Sequence, residues 1–260
     1  MFWLWNKEFL CYDVFMVTEH YSHSPLTEAV IDLRVKLPKE VQLETLASIQ
    51  SAREEDYPTR QNRIAVEGQF TTDLNAPPAT ASRTHIGYSF TSVDKRQVVQ
   101  ARLDGFTFSR LAPYENWESF RDEARQWWDI YRTMVKPEEV VRVAVRYINR
   151  LDLPLPLKDF ANYLRTVPEV SPDLPQLLSN YFMQLQIPQE DLKGMLILNQ
   201  TIVPPPDADV VSILLDIDLF REDDIPDKEN EMWQFFEQLR IRKNEVFEAC
   251  ITERTRGLIR

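Results

Sequence analysis

The sequence predicts an α+β protein: an antiparallel, elaborated ferredoxin-like sheet with helices packed on one face and a long C-terminal helix. Two stretches, 28–37 and 140–151, alternate apolar and polar residues, which is typical of half-buried strands. Between residues 28 and 151 the predicted order is strand, helix, several strands, helix and strand. That order is typical of a split βαβ arrangement with its helices on one side of the sheet.

The first predicted strand covers residues 28–37. Its apolar positions are Ala29, Ile31, Leu33 and Val35, and Pro38 ends it. The patterns that follow predict a short helix over 41–52, strands over 63–74, 85–91 and 97–111, a loop over 75–82 and a turn over 92–96.

A long amphipathic helix is predicted from residue 117 to about residue 135. Asn116 is a suitable N-cap, and Pro137 ends the segment. Apolar residues recur at three-four spacing, which predicts one strongly apolar face. These residues are Trp117, Phe120, Ala124, Trp127, Trp128, Tyr131 and Met134.

The second half of the chain begins with a proline-rich stretch over 152–206. Two pieces within it, 157–164 and 174–186, have helix-like patterns. Residues 192–203 and 210–220 predict a strand hairpin, and Asp227 is a candidate cap for a last helix that begins near Lys228.

These elements predict four segments. Residues 1–20 are an N-terminal extension or a mis-assigned start, with Met16 as the other candidate start. Residues 21–151 form the split-βαβ-like half, and 152–206 form a Pro-rich helical connection. Residues 207–260 supply a strand and the long C-terminal helix, which completes one compact domain.

Composition limits the function classes. The net charge of −11 argues against non-specific binding to nucleic acid or to an anionic membrane. The N-terminal aromatic run contains Lys7, Glu8 and Asp13, so it is too charged to span a bilayer and is a poor signal peptide. With only two cysteines, Cys11 and Cys250, we expect a reducing, cytoplasmic location.

Glycine, histidine and cysteine are scarce in this sequence, which argues against the common catalytic motifs. Five scattered glycines form no phosphate-binding loop, and three histidines with two cysteines match no zinc spacing. No nucleophile elbow occurs either. We therefore predict a protein that is not an enzyme and that uses no cofactor and no metal.

The strand over 140–151 carries three arginines on one face, Arg142, Arg146 and Arg150, in an otherwise acidic protein. One interpretation is that carboxylates on neighbouring strands pair with them; the candidates are Glu28, Asp32, Asp216 and Asp218. The other is that Arg142, Arg146, Asn149 and Arg150 form a binding cluster for a phosphate, a carboxylate or an acidic protein segment.

Two further patterns each allow a structural and a functional interpretation. Asp216 and Asp218 at strand spacing could hold magnesium beside Arg34 or Lys36 in a phosphohydrolase, or could simply be paired. The aromatic set could stack on bases, but its helical spacing favours the hydrophobic core. The set comprises Phe106, Phe108, Tyr114, Trp117, Trp127 and Trp128.

Four segments together resemble a sporadically distributed, uncharacterised prokaryotic protein family of similar length. They are PLTEAV at 25–30, FTFSRLAPYENW at 106–117, RYINR at 146–150 and ITE at 251–253. The resemblance covers residues 21–260. It implies no catalytic residues, and the patchy distribution implies an accessory gene, associated with a defence system such as a toxin, a protease or a CRISPR-type effector.

Together these observations predict a non-enzymatic, intracellular protein-binding or regulatory accessory protein with an unidentified protein partner. A small-anion or nucleotide-binding sensor that uses the arginine face is the first alternative. A magnesium-dependent phosphohydrolase centred on Asp216 and Asp218 is the second.

Overall fold

Nine strands and four α-helices build the part of the chain that the computed structural model describes, residues 21–70, 79–176 and 178–260. The first half contains β1 (Leu26–Lys36), α1 (Leu43–Ser48), β2 (Thr59–Phe70), β3 (Ala79–Thr91), β4 (Gln97–Arg102), β5 (Gly105–Leu111), α2 (Trp117–Val135) and β6 (Glu139–Pro154). The second half contains β7 (Phe182–Gln189), β8 (Gly194–Val203), β9 (Val210–Arg221), α3 (Glu229–Cys250) and α4 (Glu253–Ile259).

All nine strands join one antiparallel sheet in the order β2-β3-β4-β5-β1-β6-β9-β8-β7. β1 lies near the middle, with Ile31 opposite Phe108 on one side and Val145 on the other. The prediction of an α+β fold with an antiparallel sheet and a C-terminal helix is therefore confirmed.

Helices cover one face of the sheet. Alternate residues of β1 on that face, Ala29, Ile31 and Leu33, are completely buried. From α2, the Phe120 ring packs against Phe108 and Tyr147, and α3 packs on β6 and β9. We call the opposite side, which carries Asp32, Arg142 and Asp218, the open face.

Helix α2 begins and packs as its sequence predicts. The Asn116 side chain accepts a hydrogen bond of 2.8 Å from the backbone N–H of Ser119, so the predicted N-cap is confirmed. Lys136 ends the helix in a left-handed conformation. The aromatic set named above lies in or against the hydrophobic core, and Trp127 is completely buried.

Several boundaries in the first half differ from the prediction; β2, for example, begins at Thr59 and not at residue 63. Residues 97–111 form two strands, because the chain reverses at Leu103 and Asp104 before Gly105. A Cβ atom at Gly105 would overlap the backbone oxygen of Leu33, so β5 approaches β1 too closely for a side chain there. The predicted loop over 75–82 is wrong for 79–82, which belong to β3, and its first part lies outside the described residues.

Three helix predictions in the second half are wrong. Residues 157–164 contain one 3-10 turn, Phe160–Asn162, and the segment predicted as a helix over 174–186 ends instead in β7. Pairing with β8 explains this strand, because it satisfies backbone groups along an edge that local propensity does not reveal. Asp227 is not the cap of α3, which begins after Lys228 without a side-chain cap.

The predicted N-terminal extension, including Cys11 and Met16, lies outside the described residues. Among the helices of the described ranges, none combines the length and the apolar character needed to cross a bilayer.

Candidate functional site

The arginines of β6 lie on the open face, and two of them, Arg142 and Arg146, belong to a network of ion pairs that includes Asp32. The carboxylate of Asp32 accepts hydrogen bonds from Arg142 at 3.0 Å, Arg102 at 3.1 Å and Thr107 at 2.7 Å. Burial alone would raise the pKa of Asp32, but Arg102, the Thr107 hydroxyl and Arg142 together hold it below its ordinary value. Asp32 is therefore ionised and compensated at neutral pH.

Asp216 and Arg146 form the second part of this network. The guanidinium of Arg146 donates two hydrogen bonds of 2.7 Å, one to each carboxylate oxygen of Asp216. Asn199 on β8 donates a further bond of 3.0 Å to Asp216. The hydrogen bonds that Arg146 donates to Asp216 raise the pKa of Arg146. They also occupy the carboxylate that the phosphohydrolase alternative needs for magnesium.

Asp218 lies between Arg142 and Arg146 and accepts fewer hydrogen bonds than Asp32 or Asp216. Its Oδ2 accepts a hydrogen bond of 3.0 Å from Arg142, whereas no described residue donates a hydrogen bond to its buried Oδ1. Burial raises the pKa of Asp218, and the attraction of Arg142 offsets only part of that effect. Within the described residues, no group of three or more His, Cys, Asp or Glu side chains is arranged to hold a metal ion.

The other residues of the predicted binding cluster are separated from this network. Arg150 pairs with Asp152 at 2.9 Å and donates to the Ser212 hydroxyl at 3.1 Å. Asn149 lies on the helix-covered face, where its amide donates to the backbone oxygen of Leu215. Glu28 interacts with Arg146 only at longer range. The four residues therefore do not form one surface.

A cavity of about 920 Å³ opens on the helix-covered side, where β1 and β6 meet α2, α3 and α4. Its walls include Leu26, Trp117 and Phe247, together with Asn149. The hydroxyl groups of Tyr114 and Tyr147 also lie there and hydrogen-bond to each other at 3.0 Å. A cavity of this size with apolar walls and a few polar groups is typical of a small-molecule site.

Lys243 of α3 lies in this cavity, and its ammonium nitrogen is 3.8 Å from the centre of the Tyr147 ring. Burial lowers the pKa of Lys243 to about 7; Arg240 lowers it further and Glu248 opposes the shift. No described carboxylate makes an ion pair with it. The sequence analysis missed this residue, although its spacing of four from both Leu239 and Phe247 places a lysine on the buried side of the helix.

We expect Lys243→Met to stabilise the protein, because it removes a desolvated charge and keeps the length of the side chain. At pH 6 the lysine is charged in both the folded and the unfolded chain, so the folded protein bears the full free-energy cost of removing that charge from water. As the pH rises from 7 towards 10.5, the folded chain loses the proton first and the cost declines. The gain in the free energy of unfolding should be about 2 kcal/mol at pH 6 and smaller at pH 9.5.

Urea unfolding of both proteins at the two pH values measures this gain. Lys158→Met, at an exposed lysine, is the control and should change the free energy of unfolding little at either pH. A variant at Lys243 that is less stable than the parent at pH 6 would show that the ammonium is well compensated.

No protein-family model matches the chain, and no curated protein has a significantly similar sequence. The resemblance described above therefore stays a prediction, and the site must be interpreted from its own geometry.

Proposed function

We propose that this protein is a non-enzymatic protein-binding accessory module, and that it recognises an extended acidic segment of its partner through the ribbon formed by β2 and β3. The observation that carries the proposal is the contrast between two sets of arginines. Those of the open face are neutralised by carboxylates of the same chain, whereas Arg63 and Arg83 of the ribbon make no ion pair with any carboxylate that the structure describes.

The ribbon extends beyond the body of the sheet. β3 pairs with β4 from Gly87 to Thr91, so β2 is the only described strand beside its residues before Gly87. Among the described strands β2 is the last of the sheet, and no described strand pairs with its outer edge. An unpaired edge can accept an extended segment as an additional strand through backbone hydrogen bonds.

The side chains of the ribbon combine charge with apolar surface. Ile64 lies opposite His85 and Val66 lies opposite Arg83, and 53% of Ile64 and 63% of Val66 are exposed. Arg63 is also exposed. Because Arg63 directly precedes Ile64 and Arg83 lies opposite Val66, the two arginines project from opposite faces of the ribbon. In a protein of net charge −11, exposed arginines on both faces favour an acidic partner with some apolar residues, since charge complementarity selects partners and speeds association.

We expect the double substitution Arg63→Glu and Arg83→Glu to abolish partner binding while leaving the fold intact, because both side chains are exposed. The measurement is affinity purification of the tagged protein from its native host, with quantification of each co-purified protein. A single stoichiometric partner with an acidic segment should fall at least tenfold in the double variant, and a synthetic peptide of that segment should bind only the parent.

Lys95→Glu with Arg96→Glu, in the exposed turn between β3 and β4, is the matched control because it makes the same change in charge elsewhere. The proposal is wrong if the control loses the partner equally, if the ribbon variant retains it, or if no stoichiometric partner is recovered. The triple variant Arg142→Ala, Arg146→Ala and Arg150→Ala tests the cluster that the sequence predicted; with the ribbon as the interface, a folded triple variant should retain the partner.

The ferredoxin-like description of the sheet, the cytoplasmic location and the association with a defence system are also part of the proposal, and each has its own support. The order β4-β5-β1-β6, with α1 and α2 in the connections, supports the ferredoxin-like description of the sheet centre. A cytoplasmic location is supported by the low cysteine content. A role beside a defence system is supported by the sequence resemblance alone.

A further inference from the structure

Lys243 and Arg240 are the cations of this cavity that the described carboxylates balance least. Five glutamates line the cavity, and four of them pair with arginines other than Arg240 at 2.5–2.9 Å. Arg240, the cation that influences Lys243 most, has only a loose contact of 3.9 Å with Glu118. A lysine whose ammonium rests on an aromatic ring, with no described carboxylate paired to it, is costly for the folded protein unless an anion from outside occupies the site.

The polar groups beside Lys243 match a carboxylate. In the pair of Tyr114 and Tyr147 only one hydroxyl donates to the other, so one O–H remains to donate to a ligand. The ammonium of Lys243 and the guanidinium of Arg240 supply the charge, and Leu26, Trp117 and Phe247 supply apolar walls. Two cations match a single carboxylate, whereas a polyanion such as a nucleoside triphosphate would bring further charges into the cavity without partners for them.

We propose that this cavity binds a small monocarboxylate with an apolar body, whose carboxylate contacts Lys243 and Arg240. This site is on the face opposite the arginines of β6, and it is separate from the ribbon, so it goes beyond the protein-binding function. It replaces the small-anion alternative from the sequence with a different location and a narrower class of ligand.

Thermal unfolding of the full chain with defined probes tests the proposal. Hexanoate and phenylacetate are the carboxylates, phenylacetamide is the neutral analogue, and ATP and inorganic phosphate are the polyanions. At 10 mM we expect at least one of the two carboxylates to raise the Tm by about 3 °C, with no rise from phenylacetamide or the polyanions. Titration calorimetry with the same probes then gives the Kd.

Lys243→Met and Lys243→Gln should each weaken carboxylate binding at least tenfold, and Arg240→Gln should weaken it to a lesser degree. Two lysine variants are used so that a folding defect in one does not decide the result, and Lys158→Met is the control that should bind like the parent. The proposal is overturned if neither carboxylate binds, if phenylacetamide binds equally, if the polyanions bind more tightly, or if both folded Lys243 variants bind like the parent. None of these results depends on Arg63 or Arg83. A negative result for carboxylate binding is therefore distinguishable from a negative result for partner binding at the ribbon.

Discussion

Replacing Asp32 by alanine is expected to lower the free energy of unfolding by about 3–5 kcal/mol at pH 7. Its carboxylate compensates Arg102, whose side chain is 8% exposed, and Arg142, whose side chain is 17% exposed. Without Asp32 these guanidinium groups keep, among the described carboxylates, only Asp104, Asp218 and, at 3.6 Å, the exposed Glu222, and Thr107 loses its acceptor. Removing one partner from a buried charged network costs more than the network contributes as a whole, because the remaining charges are left desolvated.

Asp104→Ala is the matched control for this variant. Asp104 also pairs with Arg102, at 2.9 Å, but half of its side chain is exposed. Its loss should change the free energy of unfolding by less than about 1 kcal/mol, since exposed ion pairs contribute little. Urea unfolding of the three proteins measures both effects. Equal losses for the two variants would mean that Asp32 is not the centre of the network.

The contribution of Asp32 should disappear in acid. Because its folded-state pKa is lowered, the carboxylate stabilises the protein above the unfolded value of 3.8 and loses this effect as the pH falls through the folded value. The difference in stability between the parent and Asp32→Ala should therefore be constant from pH 7 to pH 5 and should decrease below pH 3.8. A difference that grows in acid would contradict the sign of this shift.

Replacing Trp127 by alanine is expected to cost about 3–5 kcal/mol and to lower the Tm by roughly 10 °C. The indole is completely buried, and its ring centre lies 4.8 Å from that of Tyr57 and 6.3 Å from that of Phe90. It also lies beside the guanidinium of Arg53, at 5.4 Å. Truncation leaves a cavity between α2 and the sheet that these groups cannot fill without moving.

Met134→Ala on the same helix is the control for Trp127, because 37% of Met134 is exposed. It should change the free energy of unfolding by less than about 0.5 kcal/mol. Differential scanning calorimetry compares the two variants with the parent. A loss below about 1 kcal/mol for Trp127→Ala would show that the core rearranges around the missing ring.

The elements with strong periodicity were predictable. The alternation in 28–37 and 140–151 predicted β1 and β6, and the three-four spacing after Asn116 predicted α2 with its cap. Such patterns are local, since each strand or helix must bury one side against the core. β7 was missed because it is an edge strand within a proline-rich stretch, where the pairing partner decides the conformation.

The arrangement of the charges was only partly predictable. Alternation placed Arg142, Arg146 and Arg150 on one face, but it did not identify which carboxylate each arginine would contact. The register and the side-chain directions decide those contacts. Arg146 of β6 lies opposite Asp218 of β9, yet its side chain donates to Asp216, two residues away on β9. Asn149 was grouped with the arginines by proximity in the sequence, whereas alternation along β6 places it on the other face.

Fold class, the central strands and the amphipathic helix thus follow from the chain itself, because periodicity and caps act over a few residues. The ion-pair network of the open face, the ribbon of β2 and β3 and the position of Lys243 in its cavity follow only from packing. Each depends on which residues distant in sequence meet, as when α3 places Lys243 over Tyr147 of β6. Charge compensation and desolvation are properties of that assembled environment, and no local pattern records them.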